Sequence, residues 1–595
     1  MNRKIWKALG IAVCMLALAA PRAMAETKVH MVTAQTNLVT LFEEINKPGD
    51  DENVIELCEN ITLTDNYTLT NDKATTIKTT TIKGEGHTIF VKPNAGITVT
   101  GKGNVLNLGA EGYKGTLTID RDPRDVSVPE TRGAFITVSG GATANMYGNV
   151  TLQNWQFAGN ACVVIMGPKL DTGSNSVFNM YGGVIENCSR AVTAGSRTTF
   201  NMSGGKIRNR EGIRGSGNGG GVRVYEATFV MSGGTISGCT ADTGGGLYAD
   251  SSTVTIKGGT ISGCSAGAGG GLYADNSAVT INKGTISGCK AENGYGGGLY
   301  AKNNSTVTIE GGTISECCTT SDIGMGGGLY AYRSTITIGG GTIKGNKAAY
   351  GGGVALRDSR VKEEEPITNW TVVDNKAYKT KTGTGYVGGG IYLENGSMNA
   401  SAGSNKIYNN TADGHGADIC LDGSSTIKLP NAANMGAKYH DSGINIDNWY
   451  KDDNPRYTPS ESGQVVEANK LLNGGLSLVA SYKASPVHIE IDANGGVGGS
   501  GSQTVQKGTN VTLEAPTKEG HLFKGWKDEK GNSYPAGEDG KVKITVTEDM
   551  TLTAEWKKLP SAENLPKTGD ESPVLLWGAA LAVSAAACFV LRRRK

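Results

Sequence analysis

Between Gly219 and Ala355 apolar and polar positions alternate in short bursts, and the bursts repeat. In the copy that begins at Gly244, Leu247 and Ala249 share one face while Tyr248 takes the other. Val254 and Ile256 then alternate with Thr253 and Thr255, and Ile261 stands between Thr260 and Ser262. A period of two over three to five positions is the signature of a strand with one buried face. The Gly-Gly-Gly, Asp-Ser-Ser and Lys-Gly-Gly segments between the bursts are turn compositions. Glycine there permits positive φ and close approach of two backbones. No segment has room for a 3.6-residue period, so helix is excluded from this stretch.

The motif Gly-Gly-Gly-Leu-Tyr recurs with its leucine at 247, 272, 299 and 329, and Val222, Val354 and Ile391 hold the same place in looser copies. The first steps are 25 residues and later ones reach 27, 30 and 37. Three short strands per copy cannot enclose a core alone, so copies must stack. Stacking aligns Leu247, Leu272, Leu299 and Leu329 in one interior column. Val254, Val279, Val307 and Ile336 make a second, and Ile236, Ile261, Ile286, Ile314 and Ile343 a third. The predicted fold is therefore all-β: a parallel β-helix with coils of about 25 residues, ~4.8 Å apart. Right-handedness is expected from the general crossover rule. Similar strand signals from residue 54 to 430 predict ~13–15 coils and a rod of ~65–70 Å.

Three residues beyond the third column come Cys188, Cys239, Cys264, Cys289 and Cys317, followed in the same place by Asn346, Asn375 and Asn410. The asparagines resemble the stacked ladder of pectate-lyase-like β-helices. A corner that accepts Cys or Asn is an inward turn of fixed volume. Stacked free thiols, acting as small hydrophobes, are the expectation. Disulfides between adjacent coils are the alternative that the spacing allows.

Both ends carry processing signals. Residues 1–25 combine Arg3, Lys4 and Lys7, an apolar run from 9 to 20, and the Ala23-Met24-Ala25 triplet. That is a secretory signal peptide, with cleavage expected between Ala25 and Glu26. At the other end Leu565-Pro566-Lys567-Thr568-Gly569 is followed by an apolar run, 574–591, and by Arg592, Arg593, Arg594 and Lys595. This order resembles the LPxTG sorting signal of Gram-positive surface proteins. An 18-residue apolar run can just span a bilayer, and the basic end stays cytoplasmic. The resemblance implies a sortase as partner, cleavage between Thr568 and Gly569, loss of 569–595, and covalent attachment of Thr568 to peptidoglycan. The protein would then be secreted and held on the cell wall.

Between these ends, Thr36 and Asn37 precede Leu38, Leu41, Phe42 and Ile45, at helical spacing, and Pro48-Gly49 stops the pattern. Residues 26–50 are expected to hold a helix that caps the open end of a solenoid spanning 51–430. Residues 431–485 lose the glycine rhythm and are read as the closing cap. From 486 to 557 the composition changes again. Phe523-x-Gly525-Trp526 and Leu552-x-Ala554-x-Trp556 resemble the internalin-type B repeat, which implies a small β-grasp-like module. Phe523, Trp526 and Trp556 are its expected core, with a ligand platform as the second reading of the tryptophans. Residues 558–568 form a spacer and the sorting motif.

Charge and chemistry alter this picture little. The chain carries 57 Lys and Arg against 56 Asp and Glu, and removal of both processed ends leaves it mildly acidic. No basic excess points to nucleic acid. Of 11 cysteines, Cys14 and Cys588 lie in the removed ends. An odd number stays behind, so at least one thiol is free within the chain. The repeated outward residues are Tyr, Thr and Ser. They supply neither paired carboxylates nor metal ligands, so no catalytic residue, metal or cofactor is assigned. Departures from the repeat occur near Arg121, around Arg208, Arg210 and Arg214, and from Arg357 to Tyr386.

A surface rod for adhesion, or for binding a glycan or host surface, is the leading functional reading. The outward column of Tyr248, Tyr273, Tyr300, Tyr330 and Tyr392 is the candidate stacking surface for sugars, against the plainer role of packing between coils. The alternatives are a β-helix polysaccharide lyase or glycoside hydrolase, with its site in an inserted loop, and a purely structural wall spacer. The threonine columns also raise ice binding, which Lys257, Lys283 and Tyr332 interrupt.

Overall fold

The computed structural model describes residues 27–47, 52–70, 77–122, 133–156, 161–167, 175–210, 213, 215, 217–361, 369–379, 386–400, 405–429, 446–451, 465–467, 475–482, 486–506, 509–537 and 539–559. They fall into two compact units, 1–438 with 446–482, and 439–445 with 483–595.

The first unit is a right-handed parallel β-helix. Its strands lie in three long sheets, A with 16 strands, C with 15 and B with 13, and A and C include the flanking elements. Sheet A holds Thr253–Ile256, sheet B Thr260–Ser262 and sheet C Leu247–Asp250. The three expected columns are in register. Leu247 pairs with Leu272, Leu272 with Leu299 and Leu299 with Leu329. Val254, Val279, Val307 and Ile336 follow one another in sheet A. Ile236, Ile261, Ile286, Ile314 and Ile343 follow in sheet B. All of these side chains are buried. Alternation places them inward because a strand shows every second residue to the same side.

Sequence reading found three strands per coil; the regular coils have four. A seven-stranded sheet D begins at Thr240–Thr243 and includes Ser265–Ala268 and Lys290–Tyr295. Its inward residues are small, such as Ala241, Ala266 and Ala291. Segments this poor in branched side chains read as turns, and pairing with neighbouring coils is what makes them strands.

The glycine triplet is explained by the coil above it. A Cβ on Gly271 would lie 2.6 Å from the carbonyl oxygen of Gly298 and 2.8 Å from Ile286 Cγ2, with Cys289 Sγ at 3.2 Å. The third glycine of each copy thus makes room for the corner residue of the next. In that corner Cys239, Cys264, Cys289 and Cys317 are free and buried. Burial pushes the Cys317 thiol up from its ordinary range. Cys188 departs from the expected free stack, since it is bonded to Cys162 in a disulfide. Cys162 immediately precedes Val163 of sheet C, the place that a third glycine holds elsewhere.

The asparagines continue the corner as a hydrogen-bonded ladder. The Asn346 backbone N–H and Nδ2 donate to Asn375 Oδ1, at 3.0 and 2.9 Å, and Asn375 donates in the same way to Asn410. Asp418 ends it. It stands where the last copy would have its third glycine, and its Oδ1 accepts from the Asn410 backbone N–H and Nδ2 at 3.1 and 2.8 Å. The carboxylate accepts from Asn410 the two hydrogen bonds that an asparagine amide oxygen accepts at the earlier steps of the ladder. A second ladder, unnoticed in the sequence, runs through the Asp-Ser-Ser turns. Ser277 Oγ accepts from the Ser252 backbone N–H at 3.0 Å, and Ser305 Oγ from that of Ser277 at 3.1 Å. Satisfying turn amides by stacked side chains lets the corners be buried.

At the start of this unit a helix runs from Leu38 to Ile45, with Asn37 at its N-cap accepting from the Thr40 backbone N–H. Leu41, Phe42 and Ile45 are buried. A strand at Thr27–Val32, not foreseen, pairs parallel with Glu52–Leu57 and opens sheet A. Past the last coil, Val465–Glu467 adds antiparallel to sheet A and Gly475–Tyr482 to sheet C, with Ile446–Lys451 beside it. The backbone at Trp449 and Tyr450 lies in that last strand, and Tyr457 is outside the described residues.

In the second unit the order is Gly501–Gln506, Pro486–Asp492, Met550–Lys558, His521–Asp528, Ser533–Pro535. Pro486–Asp492 and Met550–Lys558 are parallel neighbours. Thr509–Leu513 and Val542–Val546 form a two-stranded sheet whose Val511, Leu513, Val542, Ile544 and Val546 pack with Val487, Ile489, Trp526 and Leu552. Trp526 is fully buried, whereas Phe523 and Trp556 sit partly exposed beside that core. The reading of all three aromatics as core therefore holds for Trp526 alone. Trp556 follows Met550, Leu552 and Ala554 on the core side of its strand and closes the end of that core with Phe523, their rings 5.6 Å apart.

Candidate ligand groove on the solenoid

The tyrosine column stacks along the outer side of sheet C. Tyr248 and Tyr273 have centroids 5.2 Å apart, and Tyr300 and Tyr330 are at 5.0 Å. Residues beyond the sheet cover it: Tyr295, Met325, Tyr350 and Val387 pack against Tyr330 and Tyr392. Tyr248, Tyr273, Tyr330 and Tyr392 are between 3% and 7% exposed, and Tyr300 is partly buried. A ring turned to its neighbour cannot also stack on a sugar, so this column is packing rather than an open platform. The sequence pointed outward correctly, and the cover was also legible but missed: Tyr295, Met325, Tyr350 and Val387 each stand just before a glycine triplet and pair with one another on successive coils.

Burial has a consequence for pH. It pushes the Tyr248 phenol up to about 12, and raises those of Tyr273, Tyr300, Tyr330 and Tyr392. These groups stay neutral in the folded chain where an unfolded chain would ionise, near pH ~10. The stability they contribute is complete below that pH and is lost as pH rises through the folded values. Melting temperature is expected to fall between pH 10 and 12, and to fall less when Tyr273, Tyr300 and Tyr330 are all Phe. Identical alkaline profiles for the two proteins would refute this.

The charged residues that break the repeat gather at the corner between sheets C and A. A groove of about 620 Å³ there is lined by Asn304, Arg333, Asp358, Arg360, Asn395 and Ser424, among other small polar residues. Several lining positions are turn residues at positive φ, namely Asn304, Arg333, Asp358 and Asn395. In earlier coils the place of Arg333 is held by Ser251 and Asn276. Arg360 pairs with Thr335 and Ser397 in sheet A, where the neighbours carry threonine or serine. Two arginines thus enter an otherwise hydroxyl-rich surface.

Beside the groove, Arg357 Nε lies 3.2 Å from Glu394 Oε1. Burial holds the Glu394 carboxyl above its ordinary range, against the pull of Arg357. The Tyr392 hydroxyl, on the same strand as Glu394, donates to Asp422 Oδ2 of the next coil at 3.1 Å, and Asp422 Oδ1 accepts from the Gly423 backbone N–H at 2.7 Å. Sequence reasoning singled out the insertion after Arg357 but missed Arg333, Asn395, Glu394 and Asp422. The signal available was Arg333, a basic residue in a turn column that holds Ser251 and Asn276 in earlier copies; Glu394 and Asp422 stand where other copies already carry Asp250 and Asp275, so nothing in the pattern marked them.

The other sequence-assigned positions lie elsewhere. Arg208 Nε pairs with Glu186 at 2.8 Å on an adjacent strand. Ala25, Glu26, Leu565, Pro566, Lys567, Thr568 and Gly569 are outside the described residues, as are 123–132, 362–368 and 380–385 in the inserted loops. Among the described residues no helix is long and apolar enough to cross a membrane. The apolar run at 574–591 is outside them.

Two families match parts of the chain. Residues 230–411 match the right handed beta helix region, and residues 485–560 match the divergent InlB B-repeat domain. No curated protein and no solved structure matches it. A β-helix followed by a B-repeat domain is the make-up of an extracellular surface protein.

Proposed function

We propose that this is a cell-wall-anchored surface protein that binds a glycan in the groove at Arg333 and Arg360. The groove carries the binding reading. It is open, and its asparagine, serine and threonine side chains match sugar hydroxyls. Its two guanidinium groups against one carboxylate favour a saccharide that bears an acidic group. Anchoring is supported by the ordered motif, apolar run and basic end. A sortase thiolate would attack the Thr568 carbonyl, and an amine of a peptidoglycan precursor would then resolve the acyl-enzyme. This chain supplies only the substrate of that transfer.

Binding should be measured for the secreted chain against an array of acidic and neutral glycans. Arg333→Ala with Arg360→Ala is expected to weaken the best acidic ligand by tenfold or more, the loss of about 1.4 kcal/mol. Unchanged affinity would remove the groove from the reading. In the native cell, Thr568→Ala should move the protein from the wall to the membrane or medium. Detergent extraction of the unaltered protein at full precursor mass would defeat covalent anchoring.

One observation favours a second reading. Glu394 and Asp422 are register partners on successive coils, and the raised carboxyl of Glu394 suits a general acid. Both Asp422 oxygens already accept hydrogen bonds and Glu394 is ion-paired, so the groove serves binding better than turnover. Cleavage of an acidic polysaccharide that is abolished by Glu394→Gln would reverse that preference.

A further inference from the structure

We infer that the C-terminal domain carries its own binding site for an anionic saccharide chain, around Trp556 at the edge of its core. A pocket of about 480 Å³ there is lined by Lys518, Lys524, Lys527, Lys558, His521 and Trp556, with Asn494, Thr553, Ala554 and Glu555 completing it. Strand register assembles it. His521 lies opposite Lys558 and Lys527 opposite Thr553, while the bulge at Lys524 displaces that side chain from the alternating row. The residues come from two strands and two turns, so no sequence motif announces the cluster.

The pocket is braced before any ligand arrives. Trp556 Nε1 donates to the Ala493 carbonyl oxygen at 3.1 Å, and Asn494 Nδ2 donates to that of Ala554 at 3.0 Å. Lys518 Nζ donates to the Asn494 carbonyl oxygen at 2.8 Å and stands 5.7 Å from the Trp556 ring centroid. The one lining carboxylate, Glu555, reaches Lys527 at 3.9 Å, a loose pair. Lys524 and Lys527 are exposed, as is Lys558. Acidic residues exist on the adjoining Pro486–Asp492 strand, at Glu490 and Asp492, but they do not line the pocket.

The chemistry selects the ligand class. Clustered ammonium groups attract an extended polyanion, and each can meet a phosphate, sulfate or carboxylate as a point charge. The half-buried indole adds an apolar wall on which a sugar ring can rest. Lysines alone would suit any polyanion; the tryptophan among them favours a saccharide. Neither the groove at Arg333 nor wall attachment enters this inference, because the pocket lies wholly within the second compact unit.

The secreted chain should be titrated, at two salt concentrations, with three probes of matched length: a sulfated glycosaminoglycan fragment, a sugar-phosphate polymer and neutral dextran. Both anionic probes are expected to bind, with affinity falling at higher salt, and dextran is not. The better anionic probe identifies whether a sulfated or a phosphate-bearing chain is the natural source. Lys524→Ala, Lys527→Ala and Lys558→Ala together should reduce affinity by tenfold or more, whereas Arg333→Ala and Arg360→Ala should not. As a readout without substitutions, the bound saccharide should protect Lys524, Lys527 and Lys558 from amine acetylation. Failure of both anionic probes to bind, or unprotected lysines at saturation, would overturn the site. An oligonucleotide of equal charge binding as tightly as the saccharides would overturn the assignment to sugar.

Discussion

Ile261→Asp is expected to collapse the centre of the solenoid, at a cost of about 5 kcal/mol near neutral pH. Ile261 has no exposed surface, and its register neighbours are Ile236 and Ile286. A carboxylate there would meet aliphatic carbon above and below. Burial would raise its pKa, so the folded state would hold a proton that the unfolded chain releases. Stability relative to the unaltered chain would therefore recover as pH falls towards 4 and be poorest above neutrality. In a stacked array each coil is stabilised by its two neighbours, so damage should begin locally. Limited proteolysis should cut first near the substituted coil, and denaturant titration should show an early transition. An unaltered denaturation midpoint at pH 7 would refute the interior placement of the third column.

The second large effect concerns a glycine. Gly271→Ala is expected to destabilise by about 3 kcal/mol or more, although the change is one methyl group. The new Cβ would press on the Gly298 carbonyl oxygen at 2.6 Å. That oxygen cannot withdraw freely, because it accepts the Leu272 backbone N–H at 2.9 Å. Gly263 provides the control. Its φ is +58° and a Cβ there meets nothing within 4 Å. Gly263→Ala should thus cost only about 1–2 kcal/mol of backbone strain. Equal denaturation midpoints for the two variants would show that inter-coil contact is not what requires the triplet.

These two residues mark how far the sequence reaches. Ile261 could be assigned to the interior from spacing alone. A residue that recurs every 25 positions, on the alternate side of a strand, has its neighbours determined by the repeat. The same logic identified the columns in sheets A, B and C and the corner shared by Cys and Asn, while helical spacing alone gave the helix at Leu38–Ile45. Gly271 was legible as a turn residue, but not as the space that Cys289 and Gly298 require.

Position within one repeat was written in the chain, because the coil is a one-dimensional pattern and hydrophobic burial enforces its period. What depended on tertiary structure was whatever the repeat does not specify. Sheet D exists because neighbouring coils pair segments too small to look like strands. That the residues just before successive glycine triplets, Tyr295, Met325, Tyr350 and Val387, close over the tyrosine column shows only once the coils are packed. Asp418 takes up the last amide of the asparagine ladder, a partnership with Asn410 visible only in three dimensions. The arginine groove and the lysine pocket join residues from separate coils or strands, at distances set by insertions and by a bulge. Such sites are made of exceptions to the pattern, and only folding brings the exceptions together.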